Sequence, residues 1–285
     1  MNLLEKIQNG QNKFTQNERK LIDFIKTKYP HCLLESATSI AKQVGISAST
    51  VVRFFAKLGY DSFNDVQREI RVDIASKLSS PSQRVNLTIS HEQSVASVLE
   101  YSIALDKQNI ESTRANLSVP EFEKIIDLIT GQKEGNIYII AAKNSQAVSH
   151  YLATHLNMCV PNVIHLNADN ATLADKLLRV SSRDLLLAFS IRRYSRAVLR
   201  TGEFFSKTGA VVVSFTDSPT APIAKISRHN LVIHTLSASP FDSYTSTFTL
   251  FNALTAAVAL RNKKETESIL HRGEYLWKQF DIFAV

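Results

Sequence analysis

Two stretches of this 285-residue chain hold side chains whose types and spacing could do chemistry. In Thr38–Phe55 and just beyond it, Ser49, Arg53 and Lys57 stand four apart, so a helix through them puts them on one face with Thr50. Hydroxyls and cations arranged this way hydrogen-bond base edges and hold phosphates. Val51, Phe55 and Leu58 fall on the opposite, apolar face. In the second half, Ser145, Ser190, Ser195, Thr216, Ser218 and Ser237 follow short apolar runs, with Arg192, Arg193 and Arg196 beside two of them. Hydroxyls and helix N-terminal amides suit a phosphate dianion, and arginine can grip one bidentately. Thr216 and Ser218 read better as plain helix caps; Ser190 and Ser195, next to three arginines, read as ligand contacts.

The first set needs two short helices at a fixed angle. Ala41 is small enough for a close helix crossing, and Gly45, four residues on, supplies the positive φ of a tight turn. Ile46 plugs that turn, Ser47 caps the second helix, and Val51 packs back under the first. This is helix-turn-helix spacing. The second helix then enters a major groove, with Arg53 as the base contact and Lys42, Ser47 and Lys57 as phosphate contacts. A small helical bundle with solvated charge could share the Ala-Gly-Val spacing alone; the cap, the plug and the amphipathic split together favour DNA.

The surrounding elements are readable. Thr15 and Glu18 form a capping box before an apolar-periodic helix that ends at Tyr29-Pro30. Helices are expected over Ala37–Val44, Ala48–Leu58 and Phe63–Leu78. The small polar run Ser79–Gln83 suggests a linker. Helical patterns follow over Val95–Asn116 and Pro120–Ile129, the latter behind a Ser118 cap. Continuous apolar runs at Ile137–Ala141, Asn162–Leu166, Leu185–Phe189, Val211–Phe215 and Leu231–His234 then alternate with helical patterns, which marks a parallel sheet with crossover helices. Helices at Tyr244–Arg261 and Thr266–Phe280 close the chain. The expected organisation is an all-α domain over 1–78, a linker over 79–93, and an α/β domain over 94–285 with a five-stranded parallel sheet.

Composition narrows the class. Hydrophobic residues make up 44%, enough for a real core, and no run of about 18 apolar residues suggests a membrane span. The N-terminus lacks a signal-peptide pattern, and Cys32 and Cys159 form neither a metal motif nor a disulfide framework, which together favour a cytoplasmic protein. No residue pattern calls for a cofactor, a metal or a nucleophile. The net charge is +7, and residues 1–80 hold 12 Lys/Arg against 8 Asp/Glu, so over half the excess sits in under a third of the chain. A basic segment favours polyanions such as DNA.

Both halves resemble the RpiR family of regulators, which join a helix-turn-helix to a sugar isomerase (SIS) domain. The resemblance rests on Ile46-Ser-x-Ser-Thr-Val-Val-Arg-Phe-x-x-Lys-Leu-Gly-Tyr60 with Phe63, on Ser190-Ile-Arg-Arg-Tyr-Ser-Arg196, and on Gly209-Ala-Val-Val-Val-Ser-Phe-Thr-Asp-Ser-Pro219 with Pro222-Ile-Ala224. It implies a homodimer or homotetramer that binds a phosphosugar and alters its affinity for a double-stranded DNA operator. It also implies that Ser145 and Ser190 hold the phosphate, with Ser195 where related domains place a phosphate-contacting threonine. The sequence departs from the family at Ala141-Ala-Lys-Asn-Ser145, where a glycine-rich turn is usual. Lys143 there either adds a charge or obstructs the pocket. Two rival readings follow: a phosphosugar isomerase using one of His150, His155, His165, His229 or His234 as its base, or a DNA-binding protein whose second domain only oligomerises.

Overall fold

The computed structural model describes residues 3–9, 14–77, 80–88, 94–169 and 171–284. They divide into two compact units, one of Met1–Val98 with Ser237–Phe241, the other of Leu99–Leu236 with Asp242–Val285.

The first unit is helical: α1 (Leu3–Asn9), α2 (Gln16–Lys28), α3 (Ala37–Val44), α4 (Ala48–Lys57), α5 (Phe63–Lys77) and α6 (Pro81–Thr88). The capping box at Thr15 forms in full, the Glu18 amide donating to Thr15 Oγ1 and the Thr15 amide to Glu18 Oε2 at 2.7 Å. The core gathers Leu21, Ile25, Leu33, Ile40, Val51, Phe54 and Phe55, all with essentially no exposure. Burial of each such side chain contributes about 1.5–3 kcal/mol.

Part of the expected linker is helix. Ser80, Pro81 and Gln83 read as breakers by composition, yet Ser80 Oγ accepts from the Gln83 amide and Gln83 Oε1 from the Ser80 amide. That is a capping box with proline at the first helical position, where its missing N–H costs nothing. Residues 79 and 89–93 of the expected linker, and Leu78 at the expected end of α5, lie outside the described residues.

The second unit runs α7 (Val95–Asn116, from Leu99 onward), α8 (Val119–Thr130), β1 (Ile137–Ala141), α9 (Gln146–Leu156), β2 (Val163–Asn167), the short α10 (Leu173–Lys176), β3 (Leu185–Ser190), α11 (Arg196–Thr208), β4 (Val211–Thr216), β5 (His229–Val232), α12 (Thr245–Arg261) and α13 (Lys263–Gln279). The five strands are parallel in the order β2-β1-β3-β4-β5. Two apolar layers cover the sheet. Ile137, Ile139, Leu187, Phe189 and Phe215 pack with α8, α9 and α12, while Tyr138, Ile140, Leu186, Ala188 and Val212 pack with α11 and Ile223. Burial on both faces explains why β1, β3 and most of β4 read as continuous apolar runs. β5 lies two residues earlier than the apolar run Leu231–His234 suggests, because His229 and Asn230 pair with Val213 and Ser214 despite being polar. No helix joins β4 to β5. Among the described residues no helix is long and apolar enough to cross a membrane.

Candidate DNA interface and ligand site

In the helical unit, Gly45 caps α3 at φ 74°, and its amide donates to the Ala41 carbonyl at 2.9 Å. Ser47 caps α4, accepting from the Thr50 amide at 3.2 Å. The α4 face pointing into the unit is Val51, Phe54 and Phe55; sequence periodicity lacked Phe54, which tiles against Phe14 and Phe55. On the outer side Lys42, Ser47, Ser49 and Arg53 are exposed and Thr50 is half-buried. The Ser47 hydroxyl lies 2.8 Å from both the Ser49 and Thr50 hydroxyls, and Arg53 Nε donates to the Ser49 carbonyl at 3.3 Å. These residues form one hydroxyl-and-guanidinium patch over the first turns of α4. Lys57 turns away from it. Its ammonium sits 3.0 Å from Glu18 Oε2 and 5.3 Å from the centre of the Phe14 ring. Burial opposes the Glu18 charge, but the Thr15 amide and Lys57 hold its carboxyl below its ordinary value.

In the α/β unit the carboxyl ends of the strands draw several loops together, where ligands of such sheets bind. After β1 the chain makes a 3₁₀ turn, Lys143–Ser145. Lys143 adopts φ 55°, the left-handed conformation that glycine would take without strain, and its amide donates to Asp169 Oδ2 at 2.9 Å. Gln146 clamps the same loop, donating to Asn167 Oδ1 at 2.6 Å and Asp169 Oδ2 at 2.8 Å. Ser145 is buried, with its hydroxyl 3.0 Å from the Tyr244 hydroxyl. Ser190 ends β3 directly beside Thr216 of β4, and both are buried.

The arginines separate. Arg192 places its guanidinium on Asp242, with Nε donating to Oδ1 at 2.8 Å, and both side chains are nearly buried. Its amide donates to Asp217 Oδ2 at 3.3 Å. Burial and then the Asp217 carboxylate push the Tyr194 phenol up to about 12. Arg193 and Arg196 are exposed. Ser195 serves as the cap of α11, accepting from the Val198 amide at 3.5 Å. Ser218 accepts from the Thr220 amide. Ser237 accepts from the Ser239 amide, in the segment grouped with the first unit. The loop before α12 is anchored to α7, since Ser243 and Thr245 donate to the Asp106 carboxylate at 2.5 and 2.8 Å. Asp106, Asp169, Asp242 and Tyr244 were not legible as site residues, because each meets its partner 26 to 139 positions away.

The five histidines named as candidate bases, His150, His155, His165, His229 and His234, hold structural places. His165 Nε2 is 2.9 Å from the Ser149 hydroxyl and His234 Nε2 is 2.7 Å from Asn116 Nδ2. Burial pushes both rings below the ordinary histidine value. His229 faces Glu121 at the amino end of β5, His155 faces the Tyr151 carbonyl, and the His150 ring meets His165 edge-on. Among the described residues no three His, Cys, Asp or Glu side chains form a metal-binding group.

The family model for the rpiR-family helix-turn-helix domain matches residues 1–80, and the SIS-domain model matches residues 131–257. Together they take in most of the chain. The chain belongs to the RpiR family of helix-turn-helix regulators. Solved structures agree on its fold. The sugar isomerase domain of an RpiR transcription factor from Sphaerobacter thermophilus is similar at 22% identity and TM-score 0.59, covering 62% of this chain and 98% of that one. The Vibrio vulnificus NanR protein, solved with ManNAc-6P, is similar at 20% identity and TM-score 0.57 over 100% of both chains. A candidate sugar-phosphate isomerase from Listeria monocytogenes is similar at 16% identity and TM-score 0.54, covering 65% of this chain and 100% of that one.

Proposed function

We propose that this RpiR-family chain controls transcription from an operator in response to a phosphorylated sugar, and that it does so in the cytoplasm as a homodimer or homotetramer. The observation that carries the reading is the union, in one chain, of a SIS domain with a helix-turn-helix whose second helix buries Val51, Phe54 and Phe55 and turns hydroxyls and Arg53 outward. The likeness to Vibrio NanR along both whole chains supports a phosphosugar such as the ManNAc-6P that protein holds.

In this reading Arg53, Ser49 and Thr50 read base edges, while Ser47 and Lys42 hold phosphates. Lys57 supports the helix through Glu18 and contributes charge at its rim. The phosphosugar lies over Ser145, Ser190 and Thr216, with Arg193 at the mouth. Arg192, committed to Asp242, shapes the wall more than it grips the phosphate, and Ser195 acts through the α11 cap. Lys143 reaches the left-handed turn without glycine, at about 1–2 kcal/mol of strain. The working domains are 1–78 for the head and 94–285 for the sensor. Asp106 ties α7 to the loop carrying Tyr244 and Asp242. A ligand that shifts that loop therefore moves α7, the helix that leads back toward the head, by no more than its differential affinity for the two arrangements allows.

The rival isomerase needs a base at the sugar's C1–C2. The structural partners of the five histidines favour the regulator. The deciding experiment is a pair of variants. Arg53→Ala should weaken operator binding about 10- to 100-fold, the worth of a base contact, and leave phosphosugar binding intact. Ser190→Ala should keep operator binding and lose release by the phosphosugar. Unchanged operator binding in the first, normal release in the second, or isomerase turnover by the native chain would each overturn the reading.

A further inference from the structure

The turn between β1 and α9 faces an anion, and the anion it holds comes from its own chain. Lys143 at φ 55° is followed by Ser145 at φ −69°. A left-handed residue followed by right-handed ones points successive amides to one side, a concavity that takes anions. It opens at the carboxyl edge of the sheet and at the N-terminus of α9, where phosphates sit in folds of this kind. Its occupant is Asp169, whose Oδ2 accepts from the Lys143 amide at 2.9 Å and from the Gln146 side chain at 2.8 Å. The backbone there has a separate anchor, the Asp169 amide donating to Asn167 Oδ1 at 2.8 Å. Asp169 is also exposed, so its carboxylate can swing into water while its backbone stays in place.

A phosphate ester carries about −1.5 to −2 charges near neutral pH, against a single charge on the carboxylate. Two anions cannot share one amide donor without repelling each other. We infer that Asp169 is an internal competitor of the effector: its carboxylate and the phosphate of the sugar exclude each other at the Lys143 amide, and the phosphate displaces the carboxylate to bind. The inference rests on the phosphosugar reading of this same site. While the carboxylate is seated, a ligand meets only the fraction of molecules whose turn is open, and its apparent affinity falls by that fraction. Asp169 thus sets the effector concentration at which the sensor responds. It also selects for dianions, because a singly charged group gains little by replacing another one.

Isothermal titration of the full chain with ManNAc-6P and with inorganic phosphate tests this. Asp169→Asn keeps an acceptor for the Lys143 amide and removes the charge. It should tighten both ligands about 3- to 10-fold, the difference between a charge-assisted and a neutral hydrogen bond at an exposed site, with an unchanged circular dichroism spectrum. Asp169→Glu, which retains the charge, should gain much less. The sign of the effect decides, since a clamp that merely held the turn together would cost affinity when weakened. Native binding that Asp169→Asn leaves unchanged or weakens, or a gain that Asp169→Glu equals, would overturn the inference and leave the phosphosugar reading standing. Binding of neither ligand by either the native chain or Asp169→Asn would overturn both.

Discussion

At the turn between α3 and α4 every working contact is local. Gly45 answers Ala41 and Ser47 answers Thr50, three or four residues apart. At the carboxyl edge of the sheet, Ser145 meets Tyr244 at a separation of 99 residues and Arg192 meets Asp242 at 50. The head therefore presents a surface made by one supersecondary unit, whereas the sensor edge exists only once the whole sheet and α12 have assembled. A substitution in the first should act locally; a substitution in the second should act on the unit as a whole.

The largest expected effect probes the sensor side. Asp242→Ala leaves a nearly buried guanidinium without its carboxylate, so the α/β unit should lose about 3 kcal/mol of stability, measured by urea unfolding, while operator binding persists at low temperature. A loss below about 1 kcal/mol would mean that the long-range pair is ornamental and that the contrast with the head is false. A smaller effect is expected from Gly45→Ala. The space around Gly45 is open, so the cost is conformational, about 1–2 kcal/mol for a left-handed non-glycine residue. Hydrogen exchange should show faster opening of α3 and α4 and unaltered protection in β1 and β3; spread of the effect into the sheet would break the comparison.

The smallest effect sharpens it through pH. The folded state holds the Glu18 carboxyl below its ordinary value of 4.5, so its contribution is complete above that value and is lost as the pH falls through the lower, folded one. Glu18→Gln keeps a capping side chain at that position but loses the charge and the ion pair with Lys57, so it should cost at most about 1 kcal/mol near neutral pH. The gap to the native chain should close below pH 4.5. A gap that stayed constant down to pH 3 would show that the carboxylate charge plays no part.

Legibility in the sequence follows the same divide. The caps at Thr15, Ser47 and Ser118, the glycine at 45 and the helix Val95–Asn116 could be read from neighbours alone. Ser80–Gln83 shows the limit of composition, because the residues that mark a linker are also those that start a helix, and only their mutual hydrogen bonds choose. Lys57 was placed on the outward face by its spacing from Ser49 and Arg53, yet its long stem carries the ammonium back to Glu18 on α2.

The set of elements, the helix-turn-helix and the parallel strands with most of their crossover helices, is written locally, because caps, turns and apolar periodicity act over a few residues. Which charges stay available is settled only when the whole fold has assembled. Arg192, Arg193 and Arg196 are alike as neighbours in the chain, and the fold pairs one with Asp242 and leaves two exposed. The difference is physical. A buried charge must find a partner wherever the chain brings one, and that partner can lie anywhere in the sequence.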